Sequence, residues 1–182
     1  MPRYYAEEKF GKLVEDIRPK PEKIKISFKG KLRDETHQNE ALSKAIEAGH
    51  GILSLPCGFG KTTVSLAIAC KLGYRTMIVV HKEFLANQWK ERIQQFCPGA
   101  SIGIVRQNKK EVNCDFVIAM LQSLSLKEYS FEDFDSIGTL IVDEAHHICA
   151  KVFSQSLFKL CPKHTFGSVS YTHLRAHETR GN

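Results

Sequence analysis

LPCGFGKTT, residues 55–63, stands between an apolar run and a stretch of helical periodicity, and the chain is read outward from it. Gly58 and Gly60 let successive backbone N–H groups turn toward one anion, while the helix that follows aims its positive end at the same point. Pro56, Cys57 and Phe59 fill out the turn. Lys61 then brings a full charge to the outer phosphates of a nucleotide. The Thr62 hydroxyl suits a magnesium shell whose other oxygens come from phosphate and water, with Thr63 as a neighbouring hydroxyl. The strict pattern G-x-x-x-x-G-K-[ST] is relaxed, because Leu55 occupies its opening glycine. Context supplies what the pattern lacks. Residues 51–55 read as a buried strand entering the loop, residues 61–72 as a helix leaving it with apolar positions nearly all round, and Gly73 as its stop.

The second informative string is LIVDEAHH, residues 140–147. Residues 139–142 are β-branched and aliphatic, as a central parallel strand buried on both faces requires, and the acids come at its carboxyl end. Open α/β sheets bind ligands at that edge. Asp143 is the candidate for holding magnesium, and Glu144 for orienting and deprotonating the water that attacks the terminal phosphate.

Between the two strings, residues 76–80 and the shorter runs 101–105 and 115–120 read as strands. Residues 82–96 carry Phe84, Leu85, Trp89, Ile93 and Phe96 close to helical spacing, closed by Cys97-Pro98-Gly99. Strands alternate with helices, which predicts an α/β domain with a mostly parallel central sheet flanked by helices.

Gly-Lys-Thr followed by Asp-Glu-Ala-His resembles the first RecA-like P-loop NTPase domain of superfamily 2 DEAH-box helicases and translocases. PCGFGKT resembles the Rad25/XPB-like branch, in the flavour found in helicases of large DNA viruses. TMIVVHKEFLANQWKERIQQF (76–96) and DFVIAMLQSLS (115–125) are similar to that branch's motifs Ia and Ib, so the likeness covers residues 31–167. The resemblance implies ATP and Mg2+ as cofactors. It also implies that His81, Lys82, Gln122 and Ser123 lie near a nucleic-acid backbone, DNA in the first place and RNA in the second. Such groups grip phosphate and sugar without reading sequence. Upstream, LRDETHQNEAL (32–42) resembles the adenine-recognising region: Gln38 is the candidate amide and Arg33 a stacking neighbour. Gln38 reads equally as an exposed helix residue. His146 resembles the histidine that couples the nucleotide site to neighbouring motifs, and Trp89 reads as core.

At 182 residues and 42% hydrophobic, the chain supports one core domain and carries no segment able to span a membrane. The net charge of +6 is unevenly placed: residues 1–33 hold ten Lys/Arg against five Asp/Glu, whereas 34–167 hold fourteen of each. The motor core is therefore neutral, and any groove for nucleic acid must come from local arrangement. Residues 1–30 form a basic extension, read either as an addition to the sheet edge or as a solvated linker. The six cysteines (57, 70, 97, 114, 149, 161) are scattered, with no C-x-x-C pair, so His146, His147 and Cys149 do not read as a zinc site. With no secretory signal, reduced thiols point to an intracellular protein, of nucleus, cytoplasm or virus factory.

After Gly167 the family pattern calls for Ser-Ala-Thr, but the chain runs SVSYTHLRAHETRGN. Residues 168–182 read as a tail foreign to the fold, in which His173 and His177 share at most a helix face. The resemblance also implies a second RecA-like domain that supplies an arginine finger, worth roughly 10³–10⁵ in rate. Without it, slow turnover is expected. The sequence therefore predicts the N-terminal ATP-binding half of an ATP-dependent helicase or translocase. The alternatives are a nucleotide- or nucleic-acid-binding module without catalysis, and the motor part of a restriction or chromatin-remodelling ATPase.

Overall fold

The computed structural model describes residues 19–127, 129–146 and 160–171, together with Lys9 and Gly11. Within them the strands are β1 (His50–Pro56), β2 (Thr76–Val80), β3 (Ile102–Arg106), β4 (Lys109–Lys110), β5 (Phe116–Met120), β6 (Thr139–Val142) and β7 (His164–Tyr171). The helices are α1 (Gln38–Ala48), α2 (Lys61–Leu72), α3 (Glu83–Phe96) and α4 (Leu121–Leu126). The strands join in one sheet in the order β1-β7-β6-β2-β5-β3-β4, and every pairing is parallel except the β3–β4 hairpin. None of these helices is long and apolar enough to cross a membrane.

Strand periodicity divides the core. Met77 and Val79 of β2 pack with Val117, Ala119, Leu140 and Val142 on one face. Ile78 and Val80 pack with Leu66, Trp89, Ile93, Ile118 and Ile141 on the other. Every residue of β2 is buried, because helices or loops cover both faces, as in parallel sheets generally. α2 keeps the bounds expected of it. It leaves Gly60 and stops at Gly73, whose φ of 69° and N–H bond to the Ala69 carbonyl form a left-handed cap.

Two expectations are corrected. β1 is not buried on both faces. It is an edge strand that pairs only with β7 among the described residues, and Ile52 is 71% exposed. Nor does the sheet stop at Gly167. β7 continues to Tyr171, in register with β1 from His50 to Pro56, and buries Phe166 and Ser168. Residues 172–182, with His173 and His177, lie outside the described residues, as do His147 and Cys149.

Residues 19–30 are not a solvated linker. Glu22 N–H donates to Ser136 O, Ile24 N–H to Gly73 O and Lys29 N–H to Phe96 O, while Ile26 and Phe28 pack against the α2–α3 side of the core. These contacts fall where helices end and strands begin. The basic strap therefore runs along the amino edge of the parallel sheet, away from the carboxyl edge.

Candidate active site

The carboxyl edge gathers the two informative strings. β1 delivers the glycine turn, whose Gly58 and Gly60 have φ of 77° and 89°, and β6, two strands away, delivers Asp143 and Glu144. Both φ values lie in the left-handed region, where a Cβ is strained. Arg33, Gly58, Gly60, Lys61, Thr62, Thr63, Asp143 and Glu144 line one cleft of about 440 Å³, with Leu85, Gln88 and Arg92 from α3. The cradle and the acids, some eighty positions apart along the chain, thus share one space. A larger cavity of about 740 Å³ beside the β3–β4 hairpin sets Glu111, Glu132, Asp133 and Asp135 against a single cation, Lys110. That is the wrong charge for a phosphate, so chemistry rather than size selects the cleft.

The cradle is braced from outside. The Arg33 guanidinium donates to the carbonyls of Gly58 and Phe59, both at 3.1 Å. Gln38 is buried rather than exposed: its Oε1 accepts from the Arg33 N–H at 2.8 Å and its Nε2 donates to the Phe59 carbonyl. Both side chains are therefore engaged in shaping the loop, a function their sequence pattern did not disclose. Pro56 ends β1, and Cys57 is an exposed thiol in the turn.

The acidic end is held in detail. Asp143 Oδ1 accepts from the Ser168 hydroxyl at 2.7 Å and from the Glu144 N–H at 3.1 Å, while Oδ2 accepts from the Trp89 indole at 2.8 Å. Glu144 has φ of 50°, a left-handed conformation unusual for a residue with a Cβ and of the kind that collects at functional sites. Its carboxylate accepts from the Ser170 hydroxyl at 2.7 Å and faces His146 Nδ1 at 3.4 Å. Burial pushes the Glu144 pKa up. The Ser170 hydroxyl and backbone N–H, with the charges of Lys61 and His146, outweigh that and leave it below the ordinary carboxylate value. Ser168 and Ser170, two apart on one face of β7, thus each place a hydroxyl on one of the two acids. No local sequence pattern marks them, because their role depends on β7 lying beside β6.

A hydroxyl (Thr62) and a carboxylate (Asp143) lining one cleft offer the kind of oxygen donors that magnesium takes while keeping several waters. These residues fit the ion. His81 and Lys82 follow β2, and Gln122 and Ser123 open α4; Gln122 Nε2 donates to the His81 carbonyl at 2.7 Å, which ties the pairs together at the same edge. Lys82 Nζ lies 6.0 Å from the Phe84 ring centre. The Ser123 hydroxyl is mostly buried and accepts from the Gln107 N–H at 3.0 Å, so its contact is with the protein.

A glycine turn entering α2, a lysine at its first position and an acid pair at the tip of a buried parallel strand define a P-loop nucleotide-hydrolase domain of RecA-like architecture. Residues 29–169 match the family described as type III restriction enzyme, res subunit, and the chain belongs to that family. It is 35% identical over 185 residues to a protein of Acanthamoeba polyphaga mimivirus provisionally named an ATP-dependent RNA helicase, an alignment covering 94% of this chain and 34% of the relative. It is likewise 35% identical over 130 residues to the DNA 3'-5' helicase XPB of Mycobacterium tuberculosis, covering 67% of this chain and 23% of that one. Among solved structures, the Sulfolobus solfataricus SWI2/SNF2 ATPase core in complex with dsDNA superposes with a TM-score of 0.67 at 16% identity, over 81% of this chain and 34% of that chain. The chain thus spans about a third of the mimiviral relative, and its sheet is that of helicase ATPase cores.

Proposed function

We propose that this chain is the ATP-binding motor half of an ATP-dependent DNA helicase or translocase, coupling hydrolysis of Mg-ATP to movement on nucleic acid. The observation that carries it is the single cleft into which the P-loop lysine and threonine and the Asp-Glu strand tip all open. Lys61 and the backbone N–H groups of residues 58–62 neutralise and orient the phosphates. Thr62 and Asp143 hold magnesium, which when bound supplies charge neutralisation between the outer phosphates. Glu144, ionised at neutral pH by the surroundings described above, accepts the proton of the attacking water. His146, 3.4 Å from Glu144, is placed to report the state of that carboxylate to neighbouring elements. His81, Lys82 and Gln122 grip the track.

The mimiviral relative is about three times as long as the matched region and the mycobacterial one more than four times, which supports a second RecA-like domain closing over this cleft with a cation for the transferring phosphoryl group. The DNA reading draws on the XPB helicase and on the dsDNA-bound ATPase core; the name of the mimiviral relative makes RNA the other track to test. The experiment is single-turnover ATP hydrolysis by excess protein, with and without DNA or RNA, beside Lys61→Ala and Glu144→Gln. The proposal expects both substitutions to remove the nucleic-acid-dependent rate. An unchanged rate in both variants refutes the assigned roles, and nucleotide binding with no hydrolysis under any condition favours a binding module.

A further inference from the structure

Trp89 is the one tryptophan of the chain and is 1% exposed, yet its indole N–H does not go to a backbone carbonyl. It donates to Asp143 Oδ2 at 2.8 Å, across 54 positions of sequence. An indole is a donor only, so this contact fixes one carboxylate oxygen without offering a competing ligand. The other oxygen is held by the Ser168 hydroxyl and by the Glu144 N–H. With a donor on each oxygen, rotation of the carboxylate about its Cβ–Cγ bond costs hydrogen bonds at both ends. Leu85, Gln88 and Arg92, which line the nucleotide cleft, sit on the same face of α3 as Trp89 at helical spacing. The tryptophan is buried on that face and reaches the site through Asp143.

We propose that Trp89 is a positioning residue for magnesium, holding the Asp143 carboxylate in the orientation that the ion and its waters require. The inference rests on the reading of Asp143 as the magnesium-holding acid. Groups that orient metal-binding side chains in this way typically change metal affinity about 10–100-fold when removed.

The test compares wild-type protein with Trp89→Phe, which keeps an aromatic ring and removes the N–H. ADP binding is titrated calorimetrically at a series of Mg2+ concentrations and in EDTA, with thermal melting as the check on folding. The Mg2+ concentration for half-maximal tightening is expected to rise about 10–100-fold in Trp89→Phe, with affinity in EDTA unchanged. A purely packing role would not separate the two conditions. An unshifted Mg2+ midpoint in the folded variant overturns the proposal. Should Trp89→Phe not fold, the wild-type protein decides through the emission of this single tryptophan. It is expected to change when Mg2+ joins the ADP complex and to lose that response in Asp143→Asn; emission indifferent to Mg2+ with ADP bound overturns the proposal. Lys61→Ala separates the layers. If it binds ADP as wild type does, the nucleotide-site reading fails; if it loses ADP while Trp89→Phe behaves as wild type, only the role of Trp89 fails.

Discussion

Replacing Gly60 with alanine tests the cradle where the structure is most explicit. At φ of 89° an L residue is strained, by about 1–2 kcal/mol for the left-handed region. The added Cβ would lie 2.8 Å from Gln38 Nε2 and 3.4 Å from an Arg33 guanidinium nitrogen. The Gln38 amide is buried and bonded at both ends, so it cannot move aside without losing about one hydrogen bond, a further ~1 kcal/mol. The total of about 2–3 kcal/mol appears as lost stability if the loop keeps its shape. It appears as roughly 30–150-fold weaker ADP binding if the loop relaxes, at about 1.4 kcal/mol per tenfold. Gly58→Ala is the internal control: its φ of 77° brings the same strain, but nothing lies within 4 Å of its Cβ. Urea melts and calorimetric ADP titrations on both variants should therefore place Gly60→Ala about 1 kcal/mol below Gly58→Ala when the two readouts are added. Adding Gln38→Ala to Gly60→Ala should narrow that gap. Equal effects of the two alanines, or none from either, would mean that Gln38 does not crowd this turn.

Glu144 should shape acid stability: its folded pKa lies below the ordinary 4.5, so its contribution is present above that value and lost as pH falls through the folded pKa. Acid melts of Glu144→Gln should accordingly lose part of the wild-type decline below pH 4.5, whereas an unchanged slope would show that the hydrogen bonds from Ser170 do not act as described. Ile93→Ala, at a fully buried position between α3 and the sheet, should cost about 2–5 kcal/mol in urea melts. Ile52→Lys, on the exposed side of the edge strand, should stay within about 0.5 kcal/mol of wild type; a loss as large as that of Ile93→Ala would mean that β1 is buried after all.

The parts legible from sequence are those governed by local pattern. The bounds of α2 follow from Gly60 and Gly73, and β2 and β6 from short runs of β-branched and aliphatic residues, because a strand covered on both faces is apolar nearly throughout. The same logic misled at β1, since residues 51–55 look like a buried strand whether or not a neighbour lies on the far side. β7 escaped because His164-Thr165-Phe166-Gly167-Ser168-Val169-Ser170-Tyr171 mixes polar and small residues, and only its position between β1 and β6 makes it a strand. For the site, the motif residues Lys61, Thr62, Asp143 and Glu144 were readable from their chemistry. The bracing of the loop by Arg33 and Gln38, and the Trp89 contact with Asp143, depend on side chains meeting across the fold, which no window of sequence encodes.

If the glycine turn and the strand-tip acids enclose one metal-bound nucleotide, its affinity depends on both. Calorimetric titration of ADP into wild-type, Lys61→Ala and Asp143→Ala protein, each with Mg2+ and with EDTA, tests it most directly. A shared site gives Mg2+-tightened binding in the wild type, loss of the tightening but retained EDTA affinity in Asp143→Ala, and loss of binding under both conditions in Lys61→Ala. Mg2+-tightened binding that survives Asp143→Ala would contradict it.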